Sequence, residues 1–319
     1  MDRRAFIGAM GGLVATAALP RVTRADEAKE RLFAARGIYE RLAVNYVHLH
    51  LGLKSPFSVL HISDTHLTAV YPDESEKKCK LSAIRTQTFG GRQEEALRDS
   101  LAWAKENADY VIHTGDLIDF QSRANLDLVK KYFGGSMTGS MGNHEFSPEM
   151  WLSDRKETKD EAFKAPSRKM LSEAYPFDIS FQSTVVNGVN FVTLDDVYED
   201  VTEEQVAKFR AEAAKGLPIV LCMHVPIASR TISMVSDKYW MAGRGKGKGV
   251  KFRHVPTKDP VRSNPVTRGF VDYLRSEPLL KAILCGHNHY TFQEEFSPSA
   301  RQYIVGSNFM FHGQEVLFT

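Results

Sequence analysis

Short apolar runs that each end in a polar, chemistry-bearing cluster constrain this chain more than any other feature. Phe57–Ser63 is such a run, and Asp64-Thr65-His66 follows it. Asp109–Thr114 precedes Gly115-Asp116-Leu117-Ile118-Asp119. Gly142-Asn143-His144-Glu145 comes next, then His224 closing Pro218–Met223, then Gly286-His287-Asn288-His289 after Ala282–Cys285. Short apolar runs bounded by turn residues read as buried strands. Between them lie helical spacings: Gln93–Asn107 through Leu97, Leu101 and Ala104, and then Asn125–Phe133. Thr202 with Gln205 forms a capping box that opens a helix to Lys215. Ile179–Val186 and Val189–Leu194 flank Asn187-Gly188, a favoured hairpin turn. Tyr303–Val305 and Glu315–Phe318 are weaker strands. This alternation defines the α/β class, and the hairpin argues for a mixed sheet. In open α/β sheets, sites are built at the carboxyl ends of the strands.

Composition narrows the function. Over 319 residues, 43% are hydrophobic and 25% charged, which excludes a disordered chain, a collagen and a membrane bundle. A net charge of +2 is too small for a nucleic-acid binder. Three cysteines cannot form a disulfide framework. Cys222 and Cys285 lie inside apolar strands and read as buried thiols, with a cross-strand disulfide as the lesser reading. Cys79 lies in a charged loop that gives it no role.

The N-terminus reads as an address. Asp2-Arg3-Arg4-Ala5-Phe6-Ile7 resembles the twin-arginine export signal. The weakly apolar stretch Ala5–Leu19 is too short for a membrane span and fits a signal-peptide core. Thr23-Arg24-Ala25 and Ala15-Thr16-Ala17 are candidate cleavage sites. Removing residues 1–25 turns the net charge from +2 to −1. The expectation is export by the twin-arginine (Tat) machinery, with no transmembrane span in the mature protein and a location in the periplasm or on the extracytoplasmic face. That route carries folded proteins, as the resemblance implies, and often those loaded with metal.

Residues 26–55 read as an N-terminal helix and linker, with Leu32, Ala35, Ile38, Leu42 and Val47 at helical spacing over 26–47. Residues 56–319 read as one domain with polar insertions near 68–91, 147–177 and 229–268. The last contains Gly243-Arg244-Gly245-Lys246-Gly247-Lys248-Gly249 with Lys251 and Arg253. This basic, low-complexity stretch matches neither phosphate-binding glycine fingerprint. It is either a solvated surface loop or a clamp for an anionic substrate. Ser136–Met141 is less apolar than an ordinary core strand.

The clusters carry the chemistry. Average residue usage gives roughly 0.002 chance occurrences of Gly-Asn-His-Glu in a chain this long, and here five clusters occur in order, each at a strand end. Together they resemble the calcineurin-like metallophosphoesterase superfamily, over about residues 56–319. The resemblance implies a four-layer sandwich, two mixed β-sheets flanked by helices. It implies one metal ion on Asp64, His66, Asp116 and His289, and a second on Asp116, Asn143, His224 and His287. It places His144 and Asn143 against the substrate phosphate, His144 protonating the leaving oxygen and Asp119 orienting that histidine. Imidazole and carboxylate donors suit Mn, Fe or Zn. Two dications, two aspartates and a bridging hydroxide leave one positive charge to accept a phosphate, and Asn143, being neutral, preserves it. His48, His50, His61, His113, His254 and His312 carry the ordinary expectation of structural hydrogen bonding.

The expected function is an exported dinuclear-metal phosphoesterase. It would hydrolyse a small or lipid-linked phosphate ester by in-line attack of a metal-bridging hydroxide, with His144 assisting the leaving group. Two alternatives stand beside it: a phosphodiesterase or pyrophosphatase on nucleotide or lipid-linked substrates, and a non-catalytic metal-binding protein.

Overall fold

A computed structural model describes residues 41–133, 137–148, 161–242 and 264–319. The elements run β1 Ala43–Leu49, β2 Phe57–Ile62, α1 Glu76–Thr88, α2 Gln93–Asn107, β3 Tyr110–Thr114, α3 Arg123–Tyr132, β4 Met137–Ser140, α4 Glu161–Ala174, β5 Phe181–Val186 and β6 Val189–Leu194. They continue with α5 Glu203–Ala213, β7 Ile219–Cys222, α6 Arg230–Ala242, α7 Pro265–Ser276, β8 Leu280–Cys285, β9 Phe292–Ser297, β10 Ala300–Ile304, a 3₁₀ turn Asn308–Met310 and β11 His312–Phe318. One sheet has the order β1-β11-β2-β3-β4 and the other β5-β6-β7-β8-β10-β9. Both are mixed. In the first, β11 pairs antiparallel with β2 while β2, β3 and β4 are parallel. In the second, β6, β7, β8 and β10 are parallel, with antiparallel β5 and β9 at the edges.

The period-two alternation of each strand builds the layers. Phe57 and Val59 of β2 and Ile112 of β3 point between the sheets, where they meet Val189, Phe191, Val220 and Leu284. Phe57 stacks on Phe318 with ring centroids 4.8 Å apart, and Phe191 packs edge-on against both. Leu60, Ile62 and Val111 point the other way, under Leu97, Trp103, Leu126, Val129 and Leu171 of α2, α3 and α4. On the far side Val192, Leu194, Leu221 and Ile283 meet Phe209 of α5 and Phe270, Val271 and Leu274 of α7. The result is helix, sheet, sheet, helix. Strands buried on both faces explain why β2, β7 and β8 are nearly continuous apolar runs.

Local signals place several elements as expected. Asn187 and Gly188 both have positive φ (47° and 84°) in the β5–β6 turn, the backbone that a two-residue hairpin demands. The Thr202–Gln205 capping box closes in both directions at the start of α5. Cys222 and Cys285 are buried free thiols and Cys79 is also free.

Other expectations need correction. Where a helix was expected over 26–47, residues 43–49 form β1, paired in parallel with β11 from Ala43↔His312 to Leu49↔Phe318. The helical spacing there rested on Leu42 and Val47 alone, and residues 26–40 lie outside the described part. Each polar insertion contains a helix: α1 within 68–91, α4 within 147–177 and α6 within 229–268, while α7 begins at the end of that last stretch and runs beyond it to Ser276. The basic glycine-rich stretch 243–253 lies outside the described residues. The less apolar stretch does form a strand: β4 is buried at the end of its sheet, and the Thr138 hydroxyl there donates to Gln182 of β5 at 3.2 Å. Among the described residues, no helix is long and apolar enough to cross a membrane.

Phe191 is fully buried at the centre of the inter-sheet layer. Phe191→Ala should therefore cost about 3–5 kcal/mol, read as a lower urea midpoint, and Phe191→Leu should cost less.

Candidate metal centre

The parallel strands of the two sheets end at one edge, and their clusters meet there. Asp64 follows β2, Asp116 follows β3, Asn143 follows β4, His224 follows β7, and His287 and His289 follow β8. Asp64, His66 and His289 form one group of close donor atoms, and Asp116, His224 and His287 another; His66, Asp119 and His144 form a third, gathered about the Asp119 carboxylate. His66 Nε2 lies 3.1 Å from His289 Nε2, and His224 Nε2 lies 3.2 Å from His287 Nδ1. Asp116 Oδ2 lies between the groups, 3.3 Å from His224 Nε2 and 3.7 Å from His66 Nε2. His289 Nε2 is 3.3 Å from Asp64 Oδ1.

These residues fit a pair of cations. The donors are imidazole nitrogens and carboxylates, the set that suits Mn, Fe or Zn. Asn143 Oδ1 is buried and has no hydrogen-bond partner. A buried carbonyl oxygen in that state is costly unless something satisfies it, and a bound cation would do so. Charge points the same way. Although burial favours their neutral forms, the surrounding imidazoles hold the carboxyls of Asp64 and Asp116 well below the usual carboxylate range. Burial disfavours a charged His224, yet Asp116 and Asp64 raise it to about 10. This buried cluster of carboxylates draws positive charge to itself.

The backbone is bent to bring these atoms together. Asp64, His66, Asp116, His287 and His289 all have positive φ, between 53° and 68°. That conformation costs a non-glycine residue about 1–2 kcal/mol and persists only where the surroundings fix it. Here they do. The His287 amide donates to Asp64 Oδ2 at 2.9 Å, and the His144 amide to Asp116 Oδ1 at 2.9 Å. The motif glycines make room for this crowding: a Cβ on Gly142 would strike the Asp116 carboxylate, and one on Gly286 would strike Ser63.

His144 sits beside the cluster with Nε2 3.9 Å from Asp116 Oδ2. Its Nδ1–H donates to Asp119 Oδ1 at 2.7 Å and to the Asp119 carbonyl at 3.0 Å. The same Oδ1 accepts from His66 Nδ1 at 3.0 Å. Burial and the neighbouring His144 lower His66 to about 4, which keeps that ring neutral with Nε2 as its lone-pair nitrogen. For His144, Asp116 and Asp119 outweigh burial and raise its pKa. Phe89 stacks on His66, with ring centroids 4.4 Å apart, and Phe309 packs edge-on against His66 and His289. These rings wall one side of the cluster with apolar surface.

Several contributing residues were not singled out from the sequence. Glu145 accepts from the amides of Asp116 (3.0 Å), Leu117 (2.7 Å), Ile118 (3.2 Å) and Gly142 (2.8 Å) and from the Tyr175 hydroxyl (3.1 Å). Burial, with Asp116 beside it, pushes its carboxyl up to about 7. Asp196 accepts from the His224 and Val225 amides, both at 3.0 Å. Its position after β6 follows the same strand-end rule that located the other clusters. Arg85 of α1 donates to Asp119 through Nε at 2.6 Å and Nη2 at 2.9 Å, and nothing in the polar sequence around it marks it. His61 and His113 are structural as expected, bonded to Thr114 and Thr65.

The family profile of the calcineurin-like phosphoesterases matches residues 57–291, and the chain belongs to that family. A search of curated protein sequences returns no significant match. Among solved structures, the chain is similar to a dimetal phosphatase from Danio rerio at 15% identity and a TM-score of 0.45, covering 80% of this chain and 88% of that one. It is also similar to a 5'-nucleotidase from Candida albicans at 11% identity and a TM-score of 0.38, covering 84% of this chain but only 46% of that one.

Asp116 lies within reach of both donor groups. Asp116→Ala should therefore lose both ions, as measured by elemental analysis of purified protein. A full equivalent of metal retained in an active Asp116→Ala variant would show that the two sites do not share this ligand.

Proposed function

We propose that this chain is an exported phosphate-ester hydrolase working with two divalent transition-metal ions. One observation carries the reading: His144 shares a donor group only with His66 and Asp119, its Nδ1 is taken up by Asp119 at 2.7 Å, and its Nε2 is left facing the candidate ligands, 3.9 Å from Asp116 Oδ2. A purely structural metal site has no use for such an imidazole.

In this reading Asp64, His66, Asp116 and His289 hold one ion, and Asp116, Asn143, His224 and His287 hold the other. When bound, such ions supply Lewis acidity toward a phosphoryl oxygen and lower the pKa of water. The remaining work belongs to the chain. Asn143 adds an oxygen ligand without adding negative charge, so the centre stays attractive to a phosphate. His144 donates its Nδ1–H to Asp119, which leaves Nε2 to carry a proton to the departing alkoxide. The Phe89 and Phe309 rings exclude water from one side, which strengthens charge interactions inside the site. The substrate class is a small or lipid-linked phosphate ester outside the cytoplasm, a reading that rests on Arg3 and Arg4 as an export signal.

Turnover of a chromogenic monoester and diester, after chelation and Mn add-back, tests the activity and separates monoesterase from diesterase. A protein that binds two ions and hydrolyses neither would be a metal-binding protein. His144→Ala should lower kcat by roughly 10²–10⁴ while metal content stays near wild type. The loss should shrink for nitrophenyl esters, whose leaving group needs little protonation. Loss of a metal in that variant would make His144 a ligand instead. Replacing Arg3 and Arg4 by Lys should hold the folded, metal-loaded protein in the cytoplasm; normal export of the double variant would count against the twin-arginine route.

A further inference from the structure

We infer that Arg85 is a positioning residue of this site: by clamping Asp119 it orients one candidate metal ligand, His66, and the proton donor, His144, through a single carboxylate oxygen. The inference deepens the function proposed above and rests on it for the roles of the two histidines.

The geometry is a four-group cluster of Arg85, Asp119, His144 and His66, of which His66 alone belongs to the proposed ligand set. Asp119 is fully buried. Its Oδ2 accepts from Arg85 Nε at 2.6 Å. Its Oδ1 accepts from Arg85 Nη2 at 2.9 Å, His66 Nδ1 at 3.0 Å and His144 Nδ1 at 2.7 Å. Arg85 comes from α1, in the segment that the sequence offers only as a polar insertion. Its guanidinium lies over the Phe89 ring at 4.6 Å from the centroid, and Phe89 in turn stacks on His66. The arginine is therefore held on one face by an aromatic ring and on its edge by the carboxylate.

A carboxylate turns easily about its terminal torsion, which is broad and roughly two-fold. Two parallel N–H bonds from a planar guanidinium fix that plane. With the plane fixed, Oδ1 stands where both imidazole Nδ1–H groups reach it. Each ring is then set in the tautomer that leaves Nε2 free, for a metal in His66 and for the leaving group in His144. Lysine carries the charge but not the fork. Without any cation at 85, Asp119 would be a buried charge supported only by the two imidazoles and free to turn toward either.

The test compares full-length wild type with Arg85→Ala and Arg85→Lys. Three measurements are made: Zn²⁺ titration calorimetry on metal-stripped protein, ¹⁵N spectra of the histidine rings, and steady-state kinetics on an alkyl phosphate. The expected result for Arg85→Ala is one Zn²⁺ site weakened roughly 10–100-fold, the usual effect of removing a group that orients a ligand, with the other near wild type. The protected Nδ1–H signals of His66 and His144 should disappear. On the alkyl ester, kcat should fall over a similar range with KM near wild type, because the substrate's own contacts remain. Arg85→Lys keeps a cation beside the buried carboxylate, so it guards against a folding failure of the alanine variant, and it should still lose the two protected protons. Retention of both protons and both affinities in either folded variant overturns the inference. So does equal weakening of both Zn²⁺ sites, which would mark Arg85 as a general support of the fold. If wild type binds two ions yet hydrolyses no phosphate ester, the proposed function fails, while the calorimetric and imidazole measurements still decide the role of Arg85.

Discussion

The grip of the buried Glu145 carboxylate on the loops after β3 and β4 holds the centre together. It accepts the amides of Asp116, Leu117 and Ile118 from one loop and of Gly142 from the other. Backbone amides left unpaired in a buried turn are costly, and one carboxylate satisfies four of them. Through that grip Asp116 keeps its left-handed backbone, and Gly142 approaches so closely that no side chain fits. The shared position of Asp116 between the two donor groups follows from this. Glu145 touches none of the atoms proposed to hold metal, yet their placement depends on it.

The second constraint is the face-to-face packing of the sheets. Phe57, Phe191 and Phe318 fill the layer between them. That layer brings the carboxyl ends of β2, β3 and β4 opposite those of β7 and β8. His224 and Asp116 follow strands of different sheets, and His224 donates its Nδ1–H across to the Thr114 carbonyl of β3 at 2.7 Å. A metal centre built this way belongs to both sheets, so burial energy spent on the inter-sheet layer also fixes the ligand geometry.

Around the centre the imidazoles are set by partners one step removed. His66 and His144 share Asp119, and Arg85 fixes Asp119 in turn. Asp196 holds the amides of His224 and Val225. Such outer groups orient ligands and tune their basicity. They come from elements that differ in origin: a motif residue for Asp119, a strand end for Asp196, and a helix within a polar segment for Arg85.

Strand ends were legible in the sequence because buried strands leave continuous apolar runs, and the polar clusters stand out against them. The turn at Asn187-Gly188 and the cap at Thr202 were legible because their chemistry is local. The first strand was not: Ala43–Leu49 is stabilised by pairing with β11, more than 260 residues away in the chain, and its own pattern is too short to separate a period of two from one of 3.6. The helices α1, α4, α6 and α7 were hidden in polar or proline-bearing stretches. The sequence by itself determined the α/β alternation, the family resemblance and the residue types of the candidate ligands, since each of these is written in contiguous residues. The tertiary structure alone decided that Asp116 stands between two donor groups, that Glu145 pins two loops, and that Arg85 meets Asp119. Those relations join residues far apart in sequence, and only the packing of the sheets and helices sets their distances.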